Sequence, residues 1–441
     1  MANVLLIGNG AREHAVAEAI VRSGRRPNLF SYMKANNPGI ASLSQKNLLG
    51  SYSDLGTIAK FAADCKIDLA VIGPEDPLNN GVADALAGAG VPSVGPKKSL
   101  ARLETSKTFT RELLDKYGIP GNPAFRIFTS MDGIDEFLRE LGESVIKPDG
   151  LTGGKGVRVQ GDHYQTRLEA LEYCREVLSE HSRVIVEEKL DGEEFSLQCI
   201  TDGRTVVATP PVQDHKRRFV DDKGPNTGGM GSYSCADHSL PFITPGDVAE
   251  GLEITRKVAE AVYRETGEFY KGVMYGGFLV SRKGIKLLEY NARFGDPEAM
   301  NIFPILQTDF LDICEAVVNG TLDKLDVSFE KKATVCKYIV PKGYGLPADH
   351  PDASSTAAKI EIGDVGSARL YYSSVDQRPD GLYMSTSRAI GVVGIAPTIE
   401  EAERIAEKAI GAVKGPVAHR PDIGTKPLLE KRVQHMKQVR K

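Results

Sequence analysis

The stretch KPDGLTGGKGVRV, residues 147–159, places four glycines and three cations in thirteen positions. It follows an apolar run that ends at Ile146. Because glycine has no Cβ, the backbone amides of such a loop approach a ligand closely, and Lys147 and Lys155 would add positive charge on either side. The pattern is typical of a loop that covers a polyphosphate. The same residues also fit a solvated hairpin tip, so the remainder of the chain decides between the two interpretations.

Two strand–helix units precede this loop. The first, NVLLIGNGAREHAVAEAIVRSG, has an apolar strand at residues 4–7, a glycine turn, and a helix that ends by Gly24. The second has an apolar strand at residues 69–72, followed by a Gly-Pro loop, a helix and a short strand at residues 91–94. We therefore predict that residues 1–104 form a doubly wound α/β domain around a parallel sheet.

The middle of the chain has an α+β character. A capped helix in SKTFTRELLDKYGIP begins it, and FRIFT, SVIKPD, RVIVEEKL and EEFSLQCITDG follow as strand candidates. Residues 165–180 have helical composition, and residues 271–294 predict a hairpin that turns near Lys283 and Gly284. After residue 329 we predict a smaller domain with more strands, one long helix at residues 399–413, and a basic tail.

The charge balance excludes some classes of partner. The 441 residues include 59 acidic and 55 basic side chains, so nothing marks the whole chain as a binder of nucleic acid or membrane surfaces. Its six cysteines form no CxxC pair, which argues against structural zinc and against a disulfide framework. The N-terminus has no basic leader, and no stretch approaches the length that spans a bilayer. We therefore expect a cytoplasmic protein that binds neither nucleic acid nor membrane.

The turn GNGARE, residues 8–13, resembles the start of a dinucleotide-binding fingerprint. Glu13 occupies the position of the third glycine, which argues against a nicotinamide cofactor. A tight turn before a helix would still favour a single phosphate or carboxylate, because the first N–H groups of a helix are free and its dipole attracts anions. A turn required only for close packing is the alternative.

The stretch LLEYNARFGDPEAM, residues 287–300, carries the second strong pattern. If residues 287–293 form a strand, Glu289, Asn291 and Arg293 alternate onto one face. Carboxylate and amide oxygens suit magnesium, which takes one or two protein ligands and completes its shell with phosphates and water. An arginine beside them can hold a transferring phosphoryl group. An exposed polar strand face is the alternative.

The stretch RVIVEEKLDGEEF, residues 183–195, places acidic residues at the end of an apolar strand. Backbone groups near Lys189 and Leu190 can pair with an adenine edge, while Glu187 can accept from the adenine amino group. Glu194 can accept from ribose hydroxyls. Taken alone, the segment is an acidic turn.

The stretch QDHKRRFVDDKGPNTGGMGSYS, residues 213–234, combines charged side chains with a second glycine cluster at residues 228–231. The charges include Asp214 and Lys216. Such a loop can bind a small zwitterion or further phosphate oxygens. A solvated surface loop is the alternative.

Eight motifs together resemble the ATP-grasp family of carboxylate–amine ligases: IGNGAREHA, VIGPEDPL, LETSKTF, KPDGLTGGKGV, QDHKR, GPNTGGMGSYS, LEYNARFGDPE and HRPDIG. The likeness runs nearly from end to end. It implies an N-terminal domain over residues 1–104 that holds a substrate phosphate and a central ATP-grasp fold over residues 105–329. It also implies a mobile flap subdomain near residues 120–192 and a small C-terminal α+β domain over residues 330–441.

Within that family, the motifs are most similar to those of ligases that join glycine to 5-phosphoribosylamine in purine biosynthesis. The resemblance implies a carbon–nitrogen ligase that forms glycyl phosphate and yields glycinamide ribonucleotide, ADP and phosphate. It also implies ATP as co-substrate, Mg²⁺ or Mn²⁺ as cofactor, and a monomer or small homo-oligomer. An ATP-grasp carboxylase would not be expected to carry QDHKR together with GPNTGGMG, and a nucleotide sensor has no use for the polar strand face.

The resemblance also assigns roles to individual residues. The ATP site would comprise Lys107, Lys147, Gly153, Gly154, Lys155, Gly156, Glu187, Lys189, Leu190 and Glu194. The metal ligands would be Glu289 and Asn291, and the catalytic residues Arg293, Asp214 and Lys216. The other substrates would contact Asn9, Gly10, Glu75, Pro77, Gly229 and Gly231. In two places the chain departs from its relatives: Gly277 stands where some of them have a further metal ligand, and GLTGGKG replaces GLAAGKG in the flap.

Overall fold

Residues 1–104 surround a five-stranded parallel sheet in the computed structural model, which describes residues 1–151, 156–347, 350–353 and 357–441. The strands are β1 (Asn3–Ile7), β2 (Asn28–Met33), β3 (Lys46–Leu49), β4 (Leu69–Ile72) and β5 (Ser93–Val94). The helices are α1 (Ala11–Val21), α2 (Pro38–Leu43), α3 (Leu55–Asp64), α4 (Glu75–Asn80) and α5 (Val82–Gly88). The order β3–β2–β1–β4–β5 with all pairs parallel confirms the predicted doubly wound domain.

The strand order explains where this domain can hold a ligand. The direction of winding reverses between β1 and β4, and in such sheets a crevice opens at the carboxyl ends of the two strands. Residues 4–7 and 69–72 are buried throughout, as expected for strands covered by helices on both faces. The turn after β1 and the start of α4 therefore lie at the same edge of the sheet.

A second, antiparallel sheet, here called the flap sheet, has the order β6–β9–β7–β8. Two short helices lead into it, α6 (Arg102–Thr105) and α7 (Lys107–Lys116). Its elements are β6 (Phe125–Phe128), α8 (Ile134–Leu141), β7 (Ser144–Pro148), β8 (Arg158–Val159), α9 (Arg167–Glu180) and β9 (Val184–Glu188). It has its own apolar core, which includes Phe128, Ile146 and Val186. A separate core is what an independently packed subdomain requires.

The third sheet, with the order β11–β10–β16–β17, contains the predicted hairpin. Its strands are β10 (Gly192–Thr201), β11 (Val206–Ala208), β16 (Gly272–Ser281) and β17 (Gly284–Asn291). The turn after Ser281 confirms the predicted position. The prediction that the strand continues to Arg293 is wrong, because β17 ends at Asn291. A bulge opposite Gly277 also interrupts the strict alternation, since Gly277 pairs with Glu289 and Phe278 pairs with Leu287.

Further strands and helices connect this sheet to its neighbours. The strands are β12 (Gln213–Asp214), β13 (Arg217–Phe219), β14 (Lys223–Asn226) and β15 (Gly231–Ser234). The helices are α10 (Pro245–Thr266), α11 (Ala299–Ile302) and α12 (Phe310–Asn319), with 3-10 turns at Val220–Asp222, Phe303–Ile305 and Leu322–Lys324. Strands β12 and β15 join the C-terminal sheet, so the last part of the chain continues the central fold directly.

The C-terminal region contributes two sheets. Its strands are β18 (Ala333–Pro341), β19 (Ala358–Ile362), β20 (Arg369–Tyr372), β21 (Val375–Arg378), β22 (Gly381–Met384), β23 (Ile390–Ala396), β24 (Val413–Lys414) and β25 (Val417–Ala418). Its helices are α13 (Ile399–Ile410) and α14 (Lys426–Val439). One sheet has the order β12–β15–β18–β23–β20, with β25 paired to β18, and the other has the order β21–β22–β19–β24.

One prediction for the C-terminal region is wrong, and another is extended. The long helix ends at Ile410, and Val413 begins a strand instead. The predicted basic tail is a fourteen-residue helix, α14. Its apolar residues Leu428, Leu429 and Met436 are buried against the rest of the protein, and this packing stabilises a helix whose many charges hide its apolar stripe in the sequence.

Among the residues that the structure describes, none of the helices combines the length and the apolar character needed to cross a bilayer.

Candidate active site

A cavity of about 1920 Å³ lies where the N-terminal domain, the flap sheet, the hairpin and the C-terminal region meet. Predicted site residues from all along the chain line it: Glu75, Lys107, Lys147, Glu187, Lys189, Leu190, Glu194, Asp214, Lys216, Glu289, Asn291 and Arg293. Other predicted residues do not line it: Asn9, Gly10, Pro77, Gly156, Gly229 and Gly231. Gly153, Gly154 and Lys155 lie outside the described residues.

Glu289 lines this cavity, and several cations lie close enough to change the pKa of its carboxyl. Burial alone would raise the pKa of its carboxyl, but Lys216, Lys107, Lys147 and Arg293 lower it, so the group is ionised. Within the described part of the chain, no side chain or backbone group donates a hydrogen bond to it. An ionised carboxylate that faces a cavity without a protein donor is suited to bind a cation.

A divalent metal fits beside Glu289. Asn291 lies two residues further along the same strand, and its Oδ1 accepts from Arg293 at 3.3 Å. Across the hairpin, Glu289 pairs with Gly277, which has no side chain to offer as a ligand. Over the described residues, no group of three His, Cys, Asp or Glu side chains is arranged to hold a metal. A metal held by Glu289 and Asn291 would therefore complete its shell with phosphate and water oxygens.

Glu187 joins two buried cations beneath the cavity. It accepts from Arg111 at 2.6 and 3.1 Å, and Lys147 Nζ lies 2.7 Å from its Oε2. Burial alone would raise the pKa of Glu187, but Arg111 and Lys147 lower it to about 2. Three of its four acceptor positions are thus occupied, which leaves one for any ligand.

Lys147 keeps one donor for the cavity. Besides Glu187, its Nζ donates to the Leu288 carbonyl at 3.2 Å, and an ammonium group has three N–H donors. Burial lowers the pKa of Lys147, and the charge of Glu187 opposes that change. The bulge in β17 helps to hold Arg111, because the carbonyls of the consecutive residues Leu287 and Leu288 both accept hydrogen bonds from its guanidinium, at 2.8 and 2.9 Å.

The beginning of the glycine loop is attached to the N-terminus of α7. Asp149 accepts from the Thr108 N–H at 3.1 Å and from the Ser106 hydroxyl at 3.2 Å, while Lys107 Nζ donates to the Gly150 carbonyl at 2.8 Å. The first N–H groups of a helix have no partner within the helix, so a carboxylate at this end is favourable. The contact places Lys107 beside the loop that we expected to cover phosphates.

The segment after β9 offers a donor and an acceptor at the cavity wall. The Lys189 N–H already donates to the Glu143 carbonyl at 3.1 Å. Within the described part of the protein, the Lys189 carbonyl and the Leu190 N–H have no backbone partner. Glu194 is exposed and accepts from Lys216 at 3.2 Å.

Arg293 is held by carboxylates of the N-terminal region. Its Nε lies 3.3 Å from Glu75 Oε2, its NH2 lies 3.1 Å from Glu104 Oε1, and its NH1 donates to the Phe294 carbonyl at 3.1 Å. Glu104 also accepts from the Ala292 N–H at 2.8 Å. Although β17 ends before Arg293, these contacts bring the guanidinium back beside Asn291.

At the first glycine turn, the structure corrects one expectation. The Gly10 N–H is not free, because it donates to the Glu13 side chain at 2.6 Å in a capping arrangement. A Cβ at Gly8 or Gly73 would lie 2.3 Å from Glu13 Cγ. The glycines of this turn therefore make room for Glu13. Asn9 is also engaged, since its Oδ1 accepts from the Tyr52 hydroxyl at 2.6 Å.

The second glycine cluster has two different roles. Gly231 lies in β15, where a Cβ would be 2.3 Å from the Cys336 carbonyl oxygen, so close packing explains it. The Gly229 carbonyl accepts from Arg388 at 3.3 Å. These contacts place Arg388 at the cavity wall, beside Asp214.

Asp214 and Glu298 form an acidic pair in the cavity. Burial, and then the negative charge of Glu298, raise the pKa of Asp214 well above its usual range. Glu298 accepts from the Tyr275 hydroxyl at 2.8 Å. A cationic group placed between them would be stabilised by both carboxylates.

Four residues of the site were not predicted from the sequence: Arg111, Glu104, Glu298 and Arg388. The first three belong to sequence motifs named above: Arg111 to SKTFTRELLDKYGIP, Glu104 to LETSKTF and Glu298 to LLEYNARFGDPEAM. Their position in these motifs could therefore have indicated that they lie near the site. Arg388 stands in an ordinary loop, and nothing near it in the sequence points to the cavity. Its role depends on contacts with residues 228–229, which are distant in the chain.

Comparisons with known proteins agree with this architecture. Three family models of phosphoribosylglycinamide synthetase match: the N domain over residues 2–104, the ATP-grasp (A) domain over residues 105–299 and the C domain over residues 334–426. The phosphoribosylamine–glycine ligase of Methanococcoides burtonii is 47% identical over 439 residues, which cover 100% of both chains.

Solved structures show the same fold. The crystal structure of a phosphoribosylamine–glycine ligase from Thermotoga maritima matches with a TM-score of 0.80 and 26% identity, and covers 96% of this chain and 100% of its own. The biotin carboxylase domain of a 2-oxoglutarate carboxylase from Hydrogenobacter thermophilus matches with a TM-score of 0.70 over 99% of this chain and 93% of its own. At 15% identity, that second likeness concerns the fold alone.

Proposed function

This chain belongs to the phosphoribosylglycinamide synthetase family, and we propose that its cavity joins glycine to 5-phosphoribosylamine through a glycyl phosphate. It is an ATP-dependent carbon–nitrogen ligase of purine biosynthesis, since its relatives with that activity match it at nearly half of all positions over the full length. Its product is glycinamide ribonucleotide.

The reaction has two steps. In the first, a glycine carboxylate oxygen bonds to the γ-phosphorus of ATP while the bond to the β–γ bridging oxygen breaks, which releases ADP. In the second, the amine of phosphoribosylamine bonds to the glycyl carbon, the bond to the phosphate oxygen breaks, and the phosphate leaves with the amine proton. Activation is needed because a free carboxylate has no good leaving group.

One observation carries this proposal: four cations lower the pKa of the Glu289 carboxyl, and all of them line one cavity with it. Lys107 and Lys147 come from the α7 and β7 side, while Lys216 and Arg293 come from the loops beside β12 and β17. A triphosphate carries the complementary charge. Preorganised cations stabilise the charge that develops on a transferring phosphoryl group without having to reorganise.

Glu289 and Asn291 would hold the divalent cation, Mg²⁺ or Mn²⁺, which neutralises charge on phosphate oxygens when bound. Arg293 would orient the acyl phosphate, and Lys216 would contact the same group. The flap residues Gly153, Gly154, Lys155 and Gly156 would exclude water from the intermediate.

The nucleoside would lie along the segment from Lys189 to Glu194. The Lys189 carbonyl and the Leu190 N–H match the donor and acceptor of an adenine edge. Glu194 would accept from the ribose hydroxyls. Glu187 would keep Lys147 in place and retain one acceptor position for the adenine amino group.

The amino group of glycine would lie beside Asp214 and Glu298, because this acidic pair favours a nearby ammonium group, and the neutral amine of phosphoribosylamine would attack from the same region. The sugar phosphate would lie at the switch point between β1 and β4, where Glu75 and Arg12 line the cavity. A cytoplasmic location and a monomeric or small homo-oligomeric state stay predictions.

A coupled ADP assay with each substrate omitted in turn tests the proposal. We expect steady ADP release only when glycine and phosphoribosylamine are both present, because the first forms the acyl phosphate and the second consumes it. Without the amine, about one ADP per site should appear before turnover stops, since the closed site keeps water away. Steady ADP release without phosphoribosylamine, or a response to bicarbonate and not to glycine, would contradict the proposal.

A further inference from the structure

Helix α14 presents one polar face to the cavity. Lys431, Gln434, His435 and Gln438 line it, and their spacing of three, four and seven residues places them on one side of a helix. The C-domain family match ends at residue 426, so nearly all of this helix lies beyond the matched ranges. A helix outside those ranges therefore forms part of the wall of the active-site cavity.

His435 connects α14 to the segment that precedes Glu194. Its Nδ1 lies 2.7 Å from Glu193 Oε1, and its Nε2 lies 3.1 Å from Asp191 Oδ1. Asp191 follows Leu190 directly, and Glu193 precedes Glu194 directly. One side chain thus holds both ends of the turn that we assign to the nucleoside.

Other contacts hold the helix itself in position. Arg432 pairs with Glu193 at 3.2 Å and also with Asp222, and Arg440 pairs with Asp247 at 2.5 Å. Leu429 and Met436 are buried on the opposite side. With the helix fixed at both ends, a bond from His435 restrains the turn and does not merely follow its motion.

We propose that α14 completes the ATP site, with its polar face closing the nucleoside end of the cavity and His435 acting as a positioning residue for residues 189–194. This inference rests on the proposed function, because it assumes that the nucleoside lies along that turn. Glu194 lies near the start of β10, directly after Glu193, so a looser turn would displace its carboxylate from the ribose. The effect should fall on nucleotide affinity and leave the chemistry unchanged.

The test compares His435→Leu with His435→Arg, whose guanidinium can donate to both carboxylates, and with Lys437→Ala on an exposed part of the helix that does not line the cavity. Calorimetry with Mg-ATP and steady-state kinetics are measured on each full-length chain. We expect His435→Leu to raise the Kd and the KM for ATP about tenfold, which corresponds to 1.4 kcal/mol. The kcat and the KM for glycine should change less than twofold, His435→Arg should recover most of the affinity, and Lys437→Ala should match the unaltered chain.

Asp191→Ala provides a second variant whose folding is not at risk, because the Asp191 side chain is 82% exposed. We expect about a threefold increase in the Kd for ATP, since one of two bonds is lost. Equal ATP affinity in His435→Leu and the unaltered chain would overturn the inference, as would an equal rise in the KM for glycine. If the unaltered chain itself fails to bind ATP, the proposed function is the part that is wrong.

Discussion

At the scale of single residues, Glu289 is the side chain on which the proposed chemistry depends most directly. Its carboxylate is ionised, faces four cations and has no protein donor among the described residues. A group of buried charges lies nearby: Glu187 pairs with both Arg111 and Lys147. Each of these charges therefore has a partner of opposite sign. Buried charges need such partners, since removal of one leaves the other uncompensated.

We expect Glu289→Gln to lower kcat by a factor of about 10² to 10³, because loss of a preorganised electrostatic group costs about 3 kcal/mol in comparable sites. The fold should persist, which circular dichroism and the melting temperature would show. Glu253→Gln, on the exposed side of α10, is a matched control that should leave kcat unchanged. Near-normal turnover of Glu289→Gln at saturating magnesium would refute the metal assignment.

At the scale of elements, the contact between α7 and the start of the glycine loop determines where Lys107 lies. Asp149 directly follows β7, and its carboxylate accepts a hydrogen bond from the Thr108 N–H in the first turn of α7. The contact works in both directions: the loop satisfies the helix N-terminus, and the helix restrains the base of the loop.

Asp149→Ala should therefore destabilise the protein by about 1 kcal/mol, the usual effect of losing a helix-capping carboxylate, and should also weaken ATP binding several-fold. Thermal unfolding and calorimetry with Mg-ATP measure the two effects. Asp54→Ala makes a useful comparison, because Asp54 caps α3 by accepting from the Thr57 N–H at 3.0 Å and does not line the cavity. Should both variants bind ATP equally well, the link from Asp149 to Lys107 would have no functional role.

At the scale of the whole molecule, His14 joins the first helix to the C-terminal region. Its Nδ1 accepts from the Tyr372 N–H at 2.9 Å, and its ring stacks on Tyr372 with a centroid distance of 5.7 Å. Burial lowers the pKa of His14 to about 4. The neutral ring is thus part of the interface, since a protonated Nδ1 cannot accept this bond.

This interface predicts acid sensitivity. The unfolded chain binds a proton at His14 below about pH 6.5, whereas the folded chain binds it only near pH 4, so the contribution to stability is complete above 6.5 and declines as the pH falls toward 4. Between pH 7.5 and pH 5 the loss should be on the order of 2 kcal/mol. His14→Asn keeps an acceptor but does not titrate there, so its melting temperature should fall less over this interval. Parallel pH profiles for the two proteins would contradict the prediction.

Local patterns in the sequence predicted much of the fold and part of the candidate site. The parallel N-terminal sheet, the hairpin with Glu289 and Asn291, and twelve of the residues that line the cavity follow from strand periodicity, glycine turns and motif order. These features are encoded within a few neighbouring residues, because side-chain alternation and turn geometry depend on short stretches of chain.

Tertiary structure alone decided the rest. Glu13 turns back onto Gly10, Arg388 reaches the cavity through residues 228–229, and the basic tail forms a helix that lines the cavity. Each of these depends on the packing of segments far apart in the sequence. The amphipathic stripe of α14 contributes to stability only once the chain provides an apolar surface for it, and a short isolated helix of this length is marginal in water.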